Sequence, residues 1–243
     1  MAIPSFYCPE LSLDILDLDE PIIALSANES GHAVRSRRLR QGQSVNLLNG
    51  CGVVGEGTLH EIGKREVLVS VKSCTSIKKA GCSITIATAI PKGDRQKVMV
   101  DMLTQLGVEK IIPLESEHSI TRYSDNLRDK WQRAAIESCK QSQNPWLPII
   151  EKGHCIDQLM SFDDYHLSYT DFKGSNMNEI ISSGVRKILV IIGPEGGLSN
   201  REMSLLDGEG VAKISLAKHI LRTEAAAITA AAQFNQLNVS LSV

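Results

Sequence analysis

The chain has 243 residues, room for one large domain or two small ones at roughly 100–200 residues each. Its 26 Lys and Arg against 28 Asp and Glu leave a formal charge of −2, which excludes a protein-wide field drawing it onto nucleic acid or membrane, so any basic contact is local. Six dispersed cysteines without a Cys-x-x-Cys pair argue against structural zinc and suit buried thiols in a reducing cytoplasm, so no metal and a cytoplasmic location are expected.

The first twenty residues carry five acidic groups and no basic start, so no signal peptide is expected. Ser26 and Glu29 have capping-box spacing, predicting a helix that Ser26 caps, with Glu29 reaching back to it. That helix would carry His32 and the arginines Arg35, Arg37, Arg38 and Arg40. Ser44 to Asn49 and Gly52 to His60 read as a hairpin about Asn49-Gly-Cys-Gly52, where Gly and Asn supply the positive φ of the turn. Gly63 to Glu66 forms another turn before the alternating strand Val67 to Ser73. A polar linker, Thr75 to Gly81, follows.

Beyond it strand and helix alternate, the signature of an α/β domain with a mainly parallel sheet. Strands are expected at Ser83 to Ile90, Lys110 to Leu114, Tyr165 to Thr170, Lys187 to Ile192 and Ala212 to Leu216. Helices are expected at Asp94 to Leu106, Asp125 to Ser142 capped by Ser124, Asn176 to Ile181, Arg201 to Leu206 and Leu221 to Leu237. The uncharged tract Ala225 to Val243 is interrupted by Thr, Gln, Asn and Ser, so it reads as a buried helix and tail with no membrane span.

Two segments stand where a parallel sheet places ligands, beyond its strand ends. In the first, a continuous apolar strand runs into Gly193-Pro-Glu195-Gly196-Gly197-Leu-Ser199, and Ser199 with Glu202 forms a capping box that opens a helix. No Gly-x-x-x-x-Gly-Lys or Gly-x-Gly-x-x-Gly is present, and Glu195 would repel phosphate, which weakens nucleotide readings. A bare strand-to-helix turn is the plain alternative. In the second, Leu216-Ala-Lys-His219-Ile220-Leu221-Arg222-Thr-Glu224 leads into an alanine-rich helix. Arg222 and Glu224 could by themselves be a surface pair.

Together, Ile192 to Ser199 with Glu202 and Leu216 to Glu224 resemble the motif pair of the RsmE family, bacterial methyltransferases that modify N3 of a uridine in 16S ribosomal RNA. Gln105-Leu-Gly-Val108, Gln141-Ser142 before Pro148, and the His32 to Gly42 stretch fit the same resemblance, which therefore covers nearly the whole chain. It implies a PUA-like RNA-binding β-barrel over residues 1–74 and a SPOUT α/β domain with a C-terminal trefoil knot over 75–243. It also implies S-adenosylmethionine (AdoMet) as methyl donor, with Gly193, Glu195, Gly196 and Gly197 on one wall and Leu216, His219, Ile220 and Leu221 on the adenine side. A homodimer acting on 16S ribosomal RNA or the small ribosomal subunit is the expected assembly. The chain departs from the family's usual residues at His118, Lys140, Asn144, Ala217, His219 and Ala225.

Methyl transfer from a sulfonium chiefly needs alignment with the nucleophile. Uracil N3 must lose its proton, and the charge that spreads onto its carbonyl oxygens suits a fixed cation such as Arg222, with Glu195 or Glu224 as acceptor. Glu224 orienting Arg222 is the competing role. Arg35, Arg37, Arg38 and Arg40, without an acid among them, read as a phosphate-binding patch or as a solvated helix face. His32 reads as a packed or surface histidine and Cys139 as a buried thiol. A methyltransferase for another RNA position, or an RNA-binding protein that keeps the pocket without turnover, are the alternative functions.

Overall fold

Alternation of apolar and polar residues from Ser44 onward builds the first of two sheets in the computed structural model, which describes residues 3–63, 66–79, 81–177, 179 and 186–241. The strands are β1 (Ser5–Tyr7), β2 (Ile22–Ala24), β3 (Ser44–Leu48), β4 (Val53–Ile62) and β5 (Val67–Ser76), in the order β1-β3-β4-β5-β2. Val45, Leu47, Leu59, Val67, Val69 and Val71 face one core. The predicted hairpin is closed by Asn49, whose Oδ1 accepts from the Cys51 and Val53 amides at 2.7 and 3.0 Å, while Gly50 and Gly52 take positive φ. β1 and β2 have three residues each, too few for a periodicity to register.

Ser26 caps α1 (Ala27–Gly31), accepting from the Glu29 amide at 3.3 Å. Two expectations fail here. The helix ends early, giving way to a π-turn over His32–Ser36, so Arg35 is the one arginine of the cluster on it. Glu29 does not return to the cap. It is 2% exposed and meets the Lys140 ammonium at 2.8 Å, because a buried carboxylate needs an opposite charge more than it needs a second backbone partner.

The expected division at 74/75 falls within β5; the compact units part after Lys79, and the first takes back Ile136–Leu147. Lys140 therefore belongs to the same unit as Glu29. In this segment Leu147 donates to the Gly50 carbonyl at 2.9 Å, Gly52 donates to Pro145 at 3.0 Å, and the Trp146 ring fills the space above Gly52.

The second unit spans Ala80–Ala135 and Pro148–Val243. Its strands β6 (Ser83–Ala89), β7 (Lys110–Leu114), β8 (Ile149–Ile150), β9 (His166–Ser175), β10 (Lys187–Ile192) and β11 (Ala212–Ile214) form one parallel sheet, ordered β11-β9-β10-β6-β7-β8. β6 and β10 are central and buried on both faces, as in a covered parallel sheet. The helices are α2 (Arg95–Gln105), α3 (Asp125–Ser142), of which residues 125–135 belong to this unit, α4 (Ile156–Leu159), α5 (Asn200–Gly208) and α6 (Thr223–Leu241). α6 packs on α2, β6 and β10. β9 runs further than expected, and the helix expected over Asn176 to Ile181 lies largely outside the described residues. No described helix is long and apolar enough to cross a membrane.

The Glu29–Lys140 pair yields a stability prediction. Lys140→Met leaves a buried carboxylate without its cation and should cost about 3–5 kcal/mol. Replacing both residues by Met should recover most of the loss. Urea denaturation of the two variants measures both effects.

Candidate functional site

From β6 the chain moves outward to β7 and β8, whereas β10 has β9 and then β11 on its other side. The order thus reverses between β6 and β10, and in open α/β sheets the ligand crevice lies outside the carboxyl ends of the strands at such a switch. The loops that follow β6 and β10 leave the sheet there.

After β10, Gly197 donates to the Pro194 carbonyl at 2.8 Å in a tight turn whose Gly197 φ of +74° disfavours a side chain. Ser199 and Glu202 form the predicted capping box, with amide contacts of 2.8 and 3.1 Å. The other Glu202 oxygen accepts from the Glu117 amide at 3.0 Å. Glu202 is buried and wholly occupied in holding backbone.

The segment after β11 is irregular. Gln233 of α6 donates to the Leu216 carbonyl at 2.9 Å and pins it. Leu216, His219, Ile220 and Leu221 line a cavity of about 190 Å³ with Thr170 and Phe172 of β9. β11 approaches β9 closely here: a Cβ on Gly174 would lie 2.5 Å from the Ile214 backbone. Ile220 is 92% exposed, an apolar side chain with no cover in the single chain.

Gly193, Glu195, Gly196 and Gly197 stand in the neighbouring loop rather than on this cavity's wall. Two contacts join the loop to the second motif. The Thr223 hydroxyl donates to the Gly193 carbonyl at 3.4 Å. Arg95, at the start of α2, meets Glu195 at 3.2 Å and Glu224 at 3.4 Å. Its Nε donates to the Lys92 carbonyl at 3.3 Å, which fixes the guanidinium.

Sequence reasoning missed Arg95. The signal available was its place just beyond Ser83 to Ile90, but only the strand order reveals that this strand neighbours β10. Glu224 therefore faces Arg95 and not Arg222, contrary to the orienting role considered for it. Arg222 is exposed and makes no ion pair or hydrogen bond through its side chain among the described residues.

The other predicted residues lie in the first unit. Arg35, Arg37, Arg38 and Arg40 are all exposed, and Arg37 donates to the His32 ring at 3.3 Å. His32 packs its ring edge-on to Phe6. Cys139 is buried, and burial pushes its thiol up to about 12, which leaves no thiolate for nucleophilic work at neutral pH. Among the described residues no group of three or more His, Cys, Asp or Glu is placed to hold a metal ion.

Comparison with known proteins places these features in context. The RNA methyltransferase domain family matches residues 78–235, and the RNA methyltransferase PUA domain family matches residues 25–72. The ribosomal RNA small subunit methyltransferase E of Rickettsia conorii is 34% identical over 225 residues, 88% of this chain and 90% of that protein. The Bacillus subtilis protein of the same name is 26% identical, covering 87% and 89% respectively. A Legionella pneumophila protein described as a methyltransferase, solved in complex with the bound cofactor SAM, superposes with a TM-score of 0.87 at 25% identity, over 99% of this chain and 98% of that one. The Neisseria gonorrhoeae ribosomal RNA small subunit methyltransferase E, solved bound to S-adenosyl methionine, shares the fold with a TM-score of 0.86 at 24% identity, over 97% and 98% of the two chains.

Proposed function

We propose, from the premise that this chain belongs to the RNA methyltransferase family of the ribosomal RNA small subunit methyltransferase E type, that it transfers a methyl group from AdoMet to N3 of a uridine in 16S ribosomal RNA. The observation that carries the reading is the meeting of both motif segments at the carboxyl ends of the parallel strands, tied by Arg95. The first unit serves as the PUA-like barrel and the second as a SPOUT domain. The trefoil knot of the second rests on the family resemblance, in a unit where α6 packs on α2, β6 and β10.

The residues present fit AdoMet. Leu216, Ile220 and Leu221 offer an apolar bed for an adenine ring beside polar backbone, and Glu195 with Glu224 supplies negative charge for a cationic ligand. No phosphate-cradling lysine competes in the glycine loop. When bound, AdoMet supplies an electrophilic methyl group on a sulfonium.

The remaining steps belong to the chain. Glu224, whose side chain is 12% exposed against 45% for Glu195, is the better shielded carboxylate and accepts the N3 proton. Arg95 holds both carboxylates in place. Arg222, unpaired among the described residues, is free to face the uracil carbonyl oxygens and stabilise the charge they gain. The exposed arginines of the first unit contact RNA phosphates. Ile220 and Phe172, both well exposed, are covered in a homodimer. The protein works in the cytoplasm, where its ribosomal substrate is made.

Arg222→Ala should lower kcat by about 10²–10³ while AdoMet affinity stays nearly constant, since the charge it serves exists only in the transition state. Mass spectrometry of ribosomal RNA from a deletion strain should show loss of 3-methyluridine, restored by the wild-type gene and not by Arg222→Ala. Loss of a different mark would assign another RNA position.

The arginine cluster gives a separate expectation. Replacing Arg37 and Arg38 by Ala should weaken RNA binding and flatten its salt dependence by roughly 0.7–0.9 for each phosphate no longer neutralised, with AdoMet affinity unchanged. Fluorescence anisotropy at several salt concentrations reads both the affinity and the slope.

A further inference from the structure

A row of polar side chains crosses the first unit's sheet in direct register. Ser5 of β1 pairs with Asn46 of β3, Asn46 with Glu56 of β4, and Glu56 with Ser73 of β5. The next row on that face is Leu48, Val54 and Thr75. Both rows line a cleft of about 240 Å³, and Gln143, from the returning Ile136–Leu147 segment, closes one side. The volume suits one heterocycle and falls short of the roughly 300–1,000 Å³ of a site for a larger ligand.

A strand bulge and the end of α3 shape this cleft. The β4–β5 register shifts between Glu56 and Gly57, and such bulges re-aim the side chains beside them. Gln143 holds a φ of +57° as the left-handed residue that ends α3, with the Asn144 amide donating back to the Cys139 carbonyl at 3.1 Å, and this cap sets Gln143 at the cleft's edge. The side chains of Asn46, Glu56, Ser73, Thr75 and Gln143 make no hydrogen bond within the protein among the described residues. A solvated sheet face needs polar residues, but it does not require the concavity. Nearby, the Ile77 amide donates to the Gly52 carbonyl at 2.8 Å, and Lys79 stands 5.5 Å over the Trp146 ring.

We propose that this cleft binds one unpaired guanine of the RNA substrate, read on its Watson–Crick edge by Glu56 and the amides of Asn46 and Gln143. The chemistry selects the base. A carboxylate is an acceptor only, and guanine presents two adjacent donors, N1–H and the N2 amino group, that a carboxylate takes as a pair. The guanine O6 acceptor then meets an amide N–H. Uracil lacks the paired donors, and cytosine offers an amino group beside an acceptor that Glu56 would repel. Leu48 and Val54 supply the apolar floor, and Lys79 supplies positive charge for the neighbouring phosphate. Unpaired bases splayed from their stack are the usual targets of sequence-specific RNA recognition.

The inference rests on the RNA-directed function above, so its test reads binding apart from methyl transfer. The full-length protein is titrated by fluorescence anisotropy with single-stranded fragments of 16S ribosomal RNA, each carrying inosine in place of one guanine, which removes only the N2 amino group. At one position inosine should weaken binding by about 5- to 150-fold, the range a bidentate contact gives. Glu56→Gln should abolish that discrimination, Gln143→Ala should reduce it, and the salt dependence and AdoMet affinity of both variants should match wild type. Uniform affinity across the inosine series for wild type would overturn the proposal, as would discrimination that survives Glu56→Gln. Failure of methyl transfer with discrimination intact would count against the methyltransferase reading and leave the guanine cleft standing.

Discussion

Arg95 meets two carboxylates from segments a hundred or more positions away in the sequence, and the candidate site depends on that convergence. Its two ion pairs, at 3.2 and 3.4 Å, tie the start of α2, which follows β6, to the loop after β10 and to the first turn of α6. The parallel sheet makes this possible by putting the carboxyl ends of β6 and β10 side by side, where the strand order reverses. Neither loop has regular structure of its own. Side chains therefore hold them: Thr223 on Gly193, Gln233 on Leu216, and Glu202 on the backbone of Ser199 and Glu117. Backbone held this way can line a ligand pocket while its side chains vary.

The first unit answers a different physical demand. A five-stranded sheet with one apolar face needs cover, which Leu11, Ile15, Leu25 and Ala33 from the connecting segments provide. The Lys140–Glu29 pair is buried within this arrangement. An ion pair this dry is weak evidence for stability, but breaking it is costly, so it specifies which surfaces meet. The result is a division of labour: exposed arginines and a polar cleft in one unit, carboxylates and an apolar cavity in the other.

Periodicity and turn chemistry made the long elements legible. The apolar runs at Ser83 to Ile90 and Lys187 to Ile192, the Ser199 capping box and the Asn49 turn all form as their local chemistry requires. Long-range pairing was hidden. Glu29 has the spacing of a capping residue, yet its side chain answers to Lys140, far away in sequence. Glu224 lies two positions from Arg222 and faces Arg95 instead. The cavity residues Leu216, His219, Ile220 and Leu221 were found through motif resemblance, since nothing in their periodicity marks them as walls of one pocket. The polar ladder from Ser5 to Ser73 required a register that no single strand encodes.

The role of Arg95 in assembling the motif loops into an AdoMet site is tested most directly by calorimetric titration of AdoMet into Arg95→Ala. Affinity should fall on the order of tenfold, equivalent to about 1.4 kcal/mol, while the thermal unfolding of the variant stays close to wild type because the guanidinium is one-third exposed and part-exposed ion pairs contribute little to stability. Unchanged AdoMet affinity in a folded Arg95→Ala protein would contradict that role.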